Sequence, residues 1–368
     1  MPEINREVPP PSTYENANLI NDYRILMSRV TYLVRFYIVE NITGIGNPEI
    51  TYKEILRLPA EENQLISYFP EFADETTEVI VAYLIELKNL MDAMISKDKG
   101  KADASIQKLY ETSDMHAQHL AGLSPYWDES TWKDLFYKYN RDLIAEAFAI
   151  LIGDYSQALD IFEGFMEKGL MIGDYYAEGL SHLLPEDQHL MPAAYSNMIK
   201  DFRKAGTEWA YLTRFYIVTR IVGLGNDKDV TRKFYGLALR IKEKTELILG
   251  SEIADEMSNA ILLYIVKLEG LIDAILSGDQ AAIDIKTEEA YQYSNQLSAL
   301  FSSSNPYWDE AKWKELFGNF AELIITQSLN IHRKEYFEAM KNFERLLYAS
   351  LAINDYYAYG LYQYAMLA

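Results

Sequence analysis

The sequence predicts an all-α protein of two homologous helical-bundle domains in tandem, and three observations carry that prediction. The chain repeats itself after about 180 residues. Its apolar residues recur three and four apart over stretches longer than strands. No alternating apolar and polar run bounded by turn dipeptides is present in the sequence.

Whole phrases carry the repeat. YLVRFYIVENITGIGN at Tyr32 returns as YLTRFYIVTRIVGLGN at Tyr211, SPYWDESTWKDLF at Ser124 as NPYWDEAKWKELF at Asn305, and IGDYYAEGL at Ile172 as INDYYAYGL at Ile353. The offset is 179 at the first landmark and 181 at the other two, so the second copy carries a two-residue insertion between them. A repeat this long is a domain rather than a solenoid unit. The expected order is a flexible tail over 1–14, a first bundle over 15–181, a linker over 182–192 holding Pro185 and Pro192, and a second bundle over 193–368. About five or six helices are expected in each copy.

The elements follow in order. The RFYIV helix should end at Gly44 and Gly46, and its copy at Gly223 and Gly225, where a left-handed cap favours glycine. TEVIVAYLIELKNLMDAMI, TWKDLFYKYNRDLIAEAFAILI and YSQALDIFEGFMEKGLMIGDYYAEGL read as long amphipathic helices. Ser124 and Asn305, each before a proline and acids, are expected at helix starts. The paired tryptophans, Trp127 with Trp132 and Trp308 with Trp313, should pin that corner to the core. KDKGKAD and DKDVTRK read as solvated turns.

With 49% hydrophobic and 24% charged residues in 368, the chain is globular, and 29 tyrosines make its core unusually aromatic. A net charge of −21 repels polyanions and argues against nucleic acid and anionic membrane surfaces. No apolar run reaches the length of a membrane span. The N-terminus lacks the order of a secretory signal, so a cytoplasmic protein is expected. With no cysteine there is neither a thiolate metal site nor a cysteine nucleophile.

Aligned on RFYIV, the PYW corner and DYYA, each copy resembles a family of single-domain bacterial helical proteins of uncharacterised function. The family is found mainly in Firmicutes, and its members often carry acetylglutamate kinase or glycosyltransferase labels. It has a tryptophan-threonine-arginine helix, an NPYW corner and a last helix with an acid-plus-small-residue motif. The resemblance covers most of both halves. It implies a fused pair of bundles about a pseudo-two-fold, in imitation of a homodimer. The labels imply nucleotide or sugar-nucleotide chemistry, whereas this chain has no strand–glycine–helix phosphate loop. The family commonly has a histidine on its third helix, where this chain has Tyr83 and Tyr264.

Arg35 and Arg214 head the two RFYIV segments among apolar neighbours, so each is expected to meet a carboxylate inside its bundle. The expected partners are on the last helix, where Glu163 and Asp174 are eleven residues apart, within about 20° of one helix face, and Glu344 and Asp355 repeat the spacing. Asp114 and Glu146 of the first copy become Asn295 and Gln327 in the second. Two readings follow for this set. One is a network of ion pairs fixing helix register. The other is a site for a metal or small cationic ligand in the first bundle, lined by Asp114, Glu146, Glu163 and Asp174, with ferritin-like oxidoreductase chemistry. His116 and His119 are spaced to chelate a metal but read as ordinary surface or edge residues. No cofactor is predicted. Without a nucleophile elbow or catalytic triad, the sequence leans away from an enzyme toward a non-catalytic binding or protein-interaction module. Outward tyrosines in DYYAYGLYQYAM would serve a protein partner or self-association.

Overall fold

The computed structural model describes residues 16–66, 73–182 and 193–367, and among them there is α-helix and no strand. The expected tail over 1–14 and the linker, apart from His182, lie outside the described residues. The first half supplies α1 (Asn16–Thr43), α2 (Pro48–Ile55), α3 (Leu58–Ile66), α4 (Ala73–Ile95), α5 (Lys99–Leu123), α6 (Glu129–Leu151) and α7 (Tyr155–Ser181). The second supplies α8 (Ala193–Val222), α9 (Asp227–Leu249), α10 (Ser251–Ser277), α11 (Gln280–Ser304), α12 (Glu310–His332) and α13 (Tyr336–Leu367). The chain divides into two compact units, Met1–Ile42 with Thr51–Ala193, and Thr43–Ile50 with Ala194–Ala368.

The halves differ in one element. Where the second has the single helix α9, the first has α2 and α3, because Pro59 lacks an N–H and the chain turns at Leu56 and Arg57 before it. Pro48 opens α2, a position where that missing donor costs nothing. Gly44 and Gly46, and Gly223 and Gly225, all have positive φ, as the cap reading expected. Both charged stretches expected as turns are mainly helix starts. KDKGKAD turns at Lys97 and enters α5 at Lys99, Asp98 capping Lys101 N at 3.0 Å. DKDVTRK forms the first turns of α9, where Asp227 and Asp229 face the positive helix end.

In each unit the last helix runs antiparallel to the first. Arg24 of α1 meets Asp174 of α7 through two bonds of 2.6 and 2.7 Å, and Arg203 of α8 meets Asp355 of α13 at 2.7 and 2.8 Å. Small residues bring the backbones together. A side chain at Gly173 would strike the Tyr23 carbonyl, and one at Gly169 the Thr31 hydroxyl. In the second unit the glycine is on the other partner, Gly206 of α8, against Ser350 and Asn354.

The tryptophan corner closes the same end of that pair, beside the Arg–Asp fork. Ser124 and Asn305 are extended, as a residue before proline must be, so neither starts a helix. The helices begin later, at Glu129 and Glu310, capped by Asp128 on Thr131 N and Asp309 on Lys312 N. Trp127 Nε1 donates to the Tyr175 carbonyl at 3.0 Å and Trp308 Nε1 to that of Tyr356 at 3.1 Å. Trp132 and Trp313 are fully buried beneath them. The glycine of DYYAEGL and DYYAYGL makes room: a Cβ at Gly179 or Gly360 would lie within 2 Å of the Trp127 or Trp308 indole nitrogen.

Gly179→Ala and Gly360→Ala should therefore each cost about 1–3 kcal/mol of overpacking strain. Gly318→Ala, mid-helix in open space, should be neutral or stabilise by up to ~1 kcal/mol. Denaturant unfolding of the three variants checks the contrast.

Candidate functional site

The arginine of RFYIV is buried in both copies, and its partner differs from the one expected. Arg35 donates to Glu146 of α6, reaches the Ala158 carbonyl at 3.4 Å and lies over the Phe162 ring. Asp174 is taken by Arg24, which stands eleven residues before Arg35 on the same face of α1. Two carboxylates eleven residues apart are separated by about 16 Å along a helix, too far for one guanidinium to serve both. Arg24 and Arg203 were the residues that sequence reasoning missed, although each repeats the eleven-residue spacing to its RFYIV arginine.

Arg214 keeps the place over a phenylalanine, here Phe343, but the position of Glu146 is held by Gln327, whose carbonyl accepts from Asn342. Burial raises the Glu146 carboxyl to about 7 even with Arg35 pulling it down.

The remaining carboxylates do not converge. Asp114 is half-exposed, accepting from the Tyr137 hydroxyl at 2.8 Å with Lys133 at 3.7 Å. Glu163 is exposed on α7, and Glu344 is half-buried on α13. Asp355 pairs with Arg203 as Asp174 does with Arg24. The first-copy set of Asp114, Glu146, Glu163 and Asp174 is thus spread over separate places, because α5 and α6 present Asp114 to solvent while Glu146 turns into the core. Among the described residues no group of three or more His, Asp or Glu side chains is placed to hold a metal. The DYYAYGLYQYAM tyrosines are also largely committed. Tyr356 and Tyr357 pack on Trp313, Tyr362 stacks on Tyr195, and Tyr359 faces outward.

A different constellation emerges inside the first unit. A cavity of about 60 Å³ lies among α1, α3, α4, α5, α6 and α7, its wall mostly apolar and aromatic. Glu62 of α3 reaches into it, one turn beyond the break at Pro59, and is only 6% exposed. Its Oε1 has no hydrogen-bond partner, nor does the buried hydroxyl of Tyr23, which is close enough to feel the Glu62 charge. Burial pushes the Glu62 carboxyl up to about 8.

Around it the polar atoms of the wall are already engaged. His116, buried rather than at the surface, stacks on Phe136 and its Nε2 shares a 2.8 Å hydrogen bond with the Tyr176 hydroxyl. Burial lowers its pKa to about 3. Tyr83 donates to Asn140, which donates to Ser113, and Tyr139 bonds Thr31 at 3.1 Å.

The second unit is an internal control. With the 179 and 181 offsets, Tyr23 corresponds to Phe202, Glu62 to Ile241, His116 to Leu297, Tyr139 to Phe320 and Asn140 to Ala321, all buried. The neighbouring ion pair Arg29–Glu61 survives with its charges exchanged, as Glu208–Arg240, which fixes the alignment at Glu62. At these five positions the frame is polar in one unit and apolar in the other, while Tyr264 and Tyr357 keep the places of Tyr83 and Tyr176. Comparing the halves at these five positions was the signal in the sequence that would have found the site.

Two variants test the energetics. Glu146→Ala strands Arg35 in the core and should cost about 3–5 kcal/mol, whereas Glu146→Gln, copying the second unit, should cost far less. Glu62→Leu removes a buried carboxyl with an unpartnered oxygen and should stabilise by about 1–3 kcal/mol. The folded chain holds the Glu62 proton from the ordinary carboxyl value of 4.5 up to about 8. Stability from that proton is present at low pH and lost as pH rises through this range, so the variant's advantage should grow toward pH 8. Urea titrations at pH 5, 7 and 8.5 read both effects.

No family model, curated protein or solved structure matches the chain.

Proposed function

We propose that this protein is a non-catalytic binding module whose first unit takes a small ligand in the Glu62 pocket, the second unit serving as its apolar structural counterpart. The observation that carries this reading is that Glu62, with its unpartnered Oε1, and His116 face one cavity at positions where the second unit has Ile241 and Leu297. Buried polar groups without partners are destabilising by about 1–3 kcal/mol each. The second unit builds the same corner and the same Arg–Asp clamp with Phe202 and Ile241 in place of Tyr23 and Glu62. Their presence in the first unit is explained by a ligand that supplies the missing partners. The geometry favours binding over turnover, since the His116 ring is neutral and committed to Tyr176. No described helix is long and apolar enough to cross a membrane, so the reading calls for no membrane span.

The test is a titration of the full chain with two- to four-carbon alcohols, amines and carboxylic acids, followed by methyl NMR. Shifts should appear at Leu26, Leu58 and Ile172, which line the pocket, and not at Leu297 or Ile241. Equal shifts in both units, or none in the first, would overturn the reading.

A further inference from the structure

Resting on that reading, we infer that the Glu62 pocket selects a small alkylammonium cation, its nitrogen paired with the Glu62 carboxylate and its carbons against the surrounding aromatic rings. The inference follows from what the wall leaves available. Tyr83, Tyr139 and Tyr176 have hydroxyls engaged with Asn140, Thr31 and His116, so each offers the pocket chiefly its ring. Phe136 and His116 add two more aromatic surfaces. Electron-rich rings around a carboxylate are the chemistry that recognises an ammonium group. The polar capacity left over is an acceptor, Glu62 Oε1, beside the Tyr23 hydroxyl.

Each alternative class leaves a mismatch. An anion would meet Glu62 in a chain of net charge −21. A purely apolar molecule would leave Oε1 buried and unsatisfied. A metal ion would find a single carboxylate, and the described residues offer no cluster of three ligands. Size is limited as well. About 60 Å³ is room for a few water-sized groups, which limits the occupant to an ammonium group with one or two carbons. Longer chains would have to extend past Met27, Val30 and Ile80, which are half-buried at the rim.

Binding carries a proton signature. The charged and titratable groups facing Glu62 are Tyr23 from α1, Tyr83 from α4, His116 from α5, Tyr139 from α6 and Tyr176 from α7, with the Arg29–Glu61 pair alongside. The tyrosines are all raised and His116 is held down to about 3, so none of these five changes charge between pH 6 and 8. Glu62 does, near 8. A cation that needs the carboxylate displaces its proton, and affinity should rise about tenfold per pH unit from 6 toward 8.

The experiment is calorimetry of the full chain with ethylammonium, ethanol and acetate at 0.15 M salt, in buffers of different ionisation enthalpy, on wild type and Glu62→Gln. The expected result is ethylammonium binding with release of about one proton at pH 7, weakened about 30-fold or more in Glu62→Gln. Melting of the variant by circular dichroism establishes that it is folded. Binding of ethanol or acetate in preference to the amine would overturn the cation assignment while leaving the pocket intact. Amine binding that is unchanged in Glu62→Gln would assign it to the acidic surface and overturn the inference. Failure of every probe in wild type, with ordered water as the pocket's only occupant, would overturn the inference and the binding reading together.

Discussion

Everything else in each unit depends on the close antiparallel contact between its first and last helices. Two devices hold it, and their magnitudes differ. The Arg24–Asp174 and Arg203–Asp355 forks are partly exposed, and such pairs contribute about 0.2–1 kcal/mol. The buried tryptophans contribute far more: a Trp hiding 150–250 Å² is stabilised by about 4–6 kcal/mol. The ion pair therefore sets register, and the Trp–Gly lock supplies the stability. This division explains why glycine is needed at 179 and 360, where an indole lies against the helix, and why the fork takes a planar guanidinium.

Comparison of the two units shows which features the frame requires by geometry rather than by identity. Arg29–Glu61 and Glu208–Arg240 occupy equivalent places with reversed charge, so the requirement is a pair across two helices. Close approach is provided by Gly169 and Gly173 on the last helix in one unit and by Gly206 on the first helix in the other. The buried arginine keeps its phenylalanine in both, while its carboxylate becomes an amide in the second. A guanidinium over a ring is the constant, and the residue at the Glu146 position is the variable.

The helical class, the long helices and the glycine caps were legible because they rest on local periodicity and on backbone conformations that few residues adopt. The repeat exposed the tryptophan corner. What was not legible is what depends on a third helix. Arg35 was assigned to α7 because only α7 offered repeated acids, but its guanidinium turns to Glu146 on α6, and helical-wheel angles do not report which neighbour lies opposite. Ser124 was read as a helix start because proline and acids follow it, yet proline forces the residue before it to be extended, and Asp128 takes the cap. Glu62 escaped notice since α3 is short and interrupted, with none of the periodicity that marks a buried face. From sequence His116 reads as a surface or edge residue, because its hydrogen-bond partner, Tyr176, is 60 residues away.

Cores tolerate substitution when volume and polarity are conserved together. The two interiors depart from this at several buried positions, Thr51 against Val230 and Ala147 against Ser328 among them, but exchange titratable for aliphatic side chains around the Glu62 cavity. Tyr23 and Phe202, or Tyr139 and Phe320, differ by a hydroxyl alone, while Glu62 and Ile241, or His116 and Leu297, exchange a titratable side chain for an aliphatic one. Glu62, His116 and Tyr139 touch the same cavity, and Tyr23 and Asn140 adjoin it through Glu62 and Tyr83. A carboxyl held protonated to about pH 8 by burial alone is an arrangement that folding by itself disfavours. On the binding reading that disfavoured state is the free form of the site, and a cation entering the aromatic wall relieves it by giving the carboxylate a counter-charge.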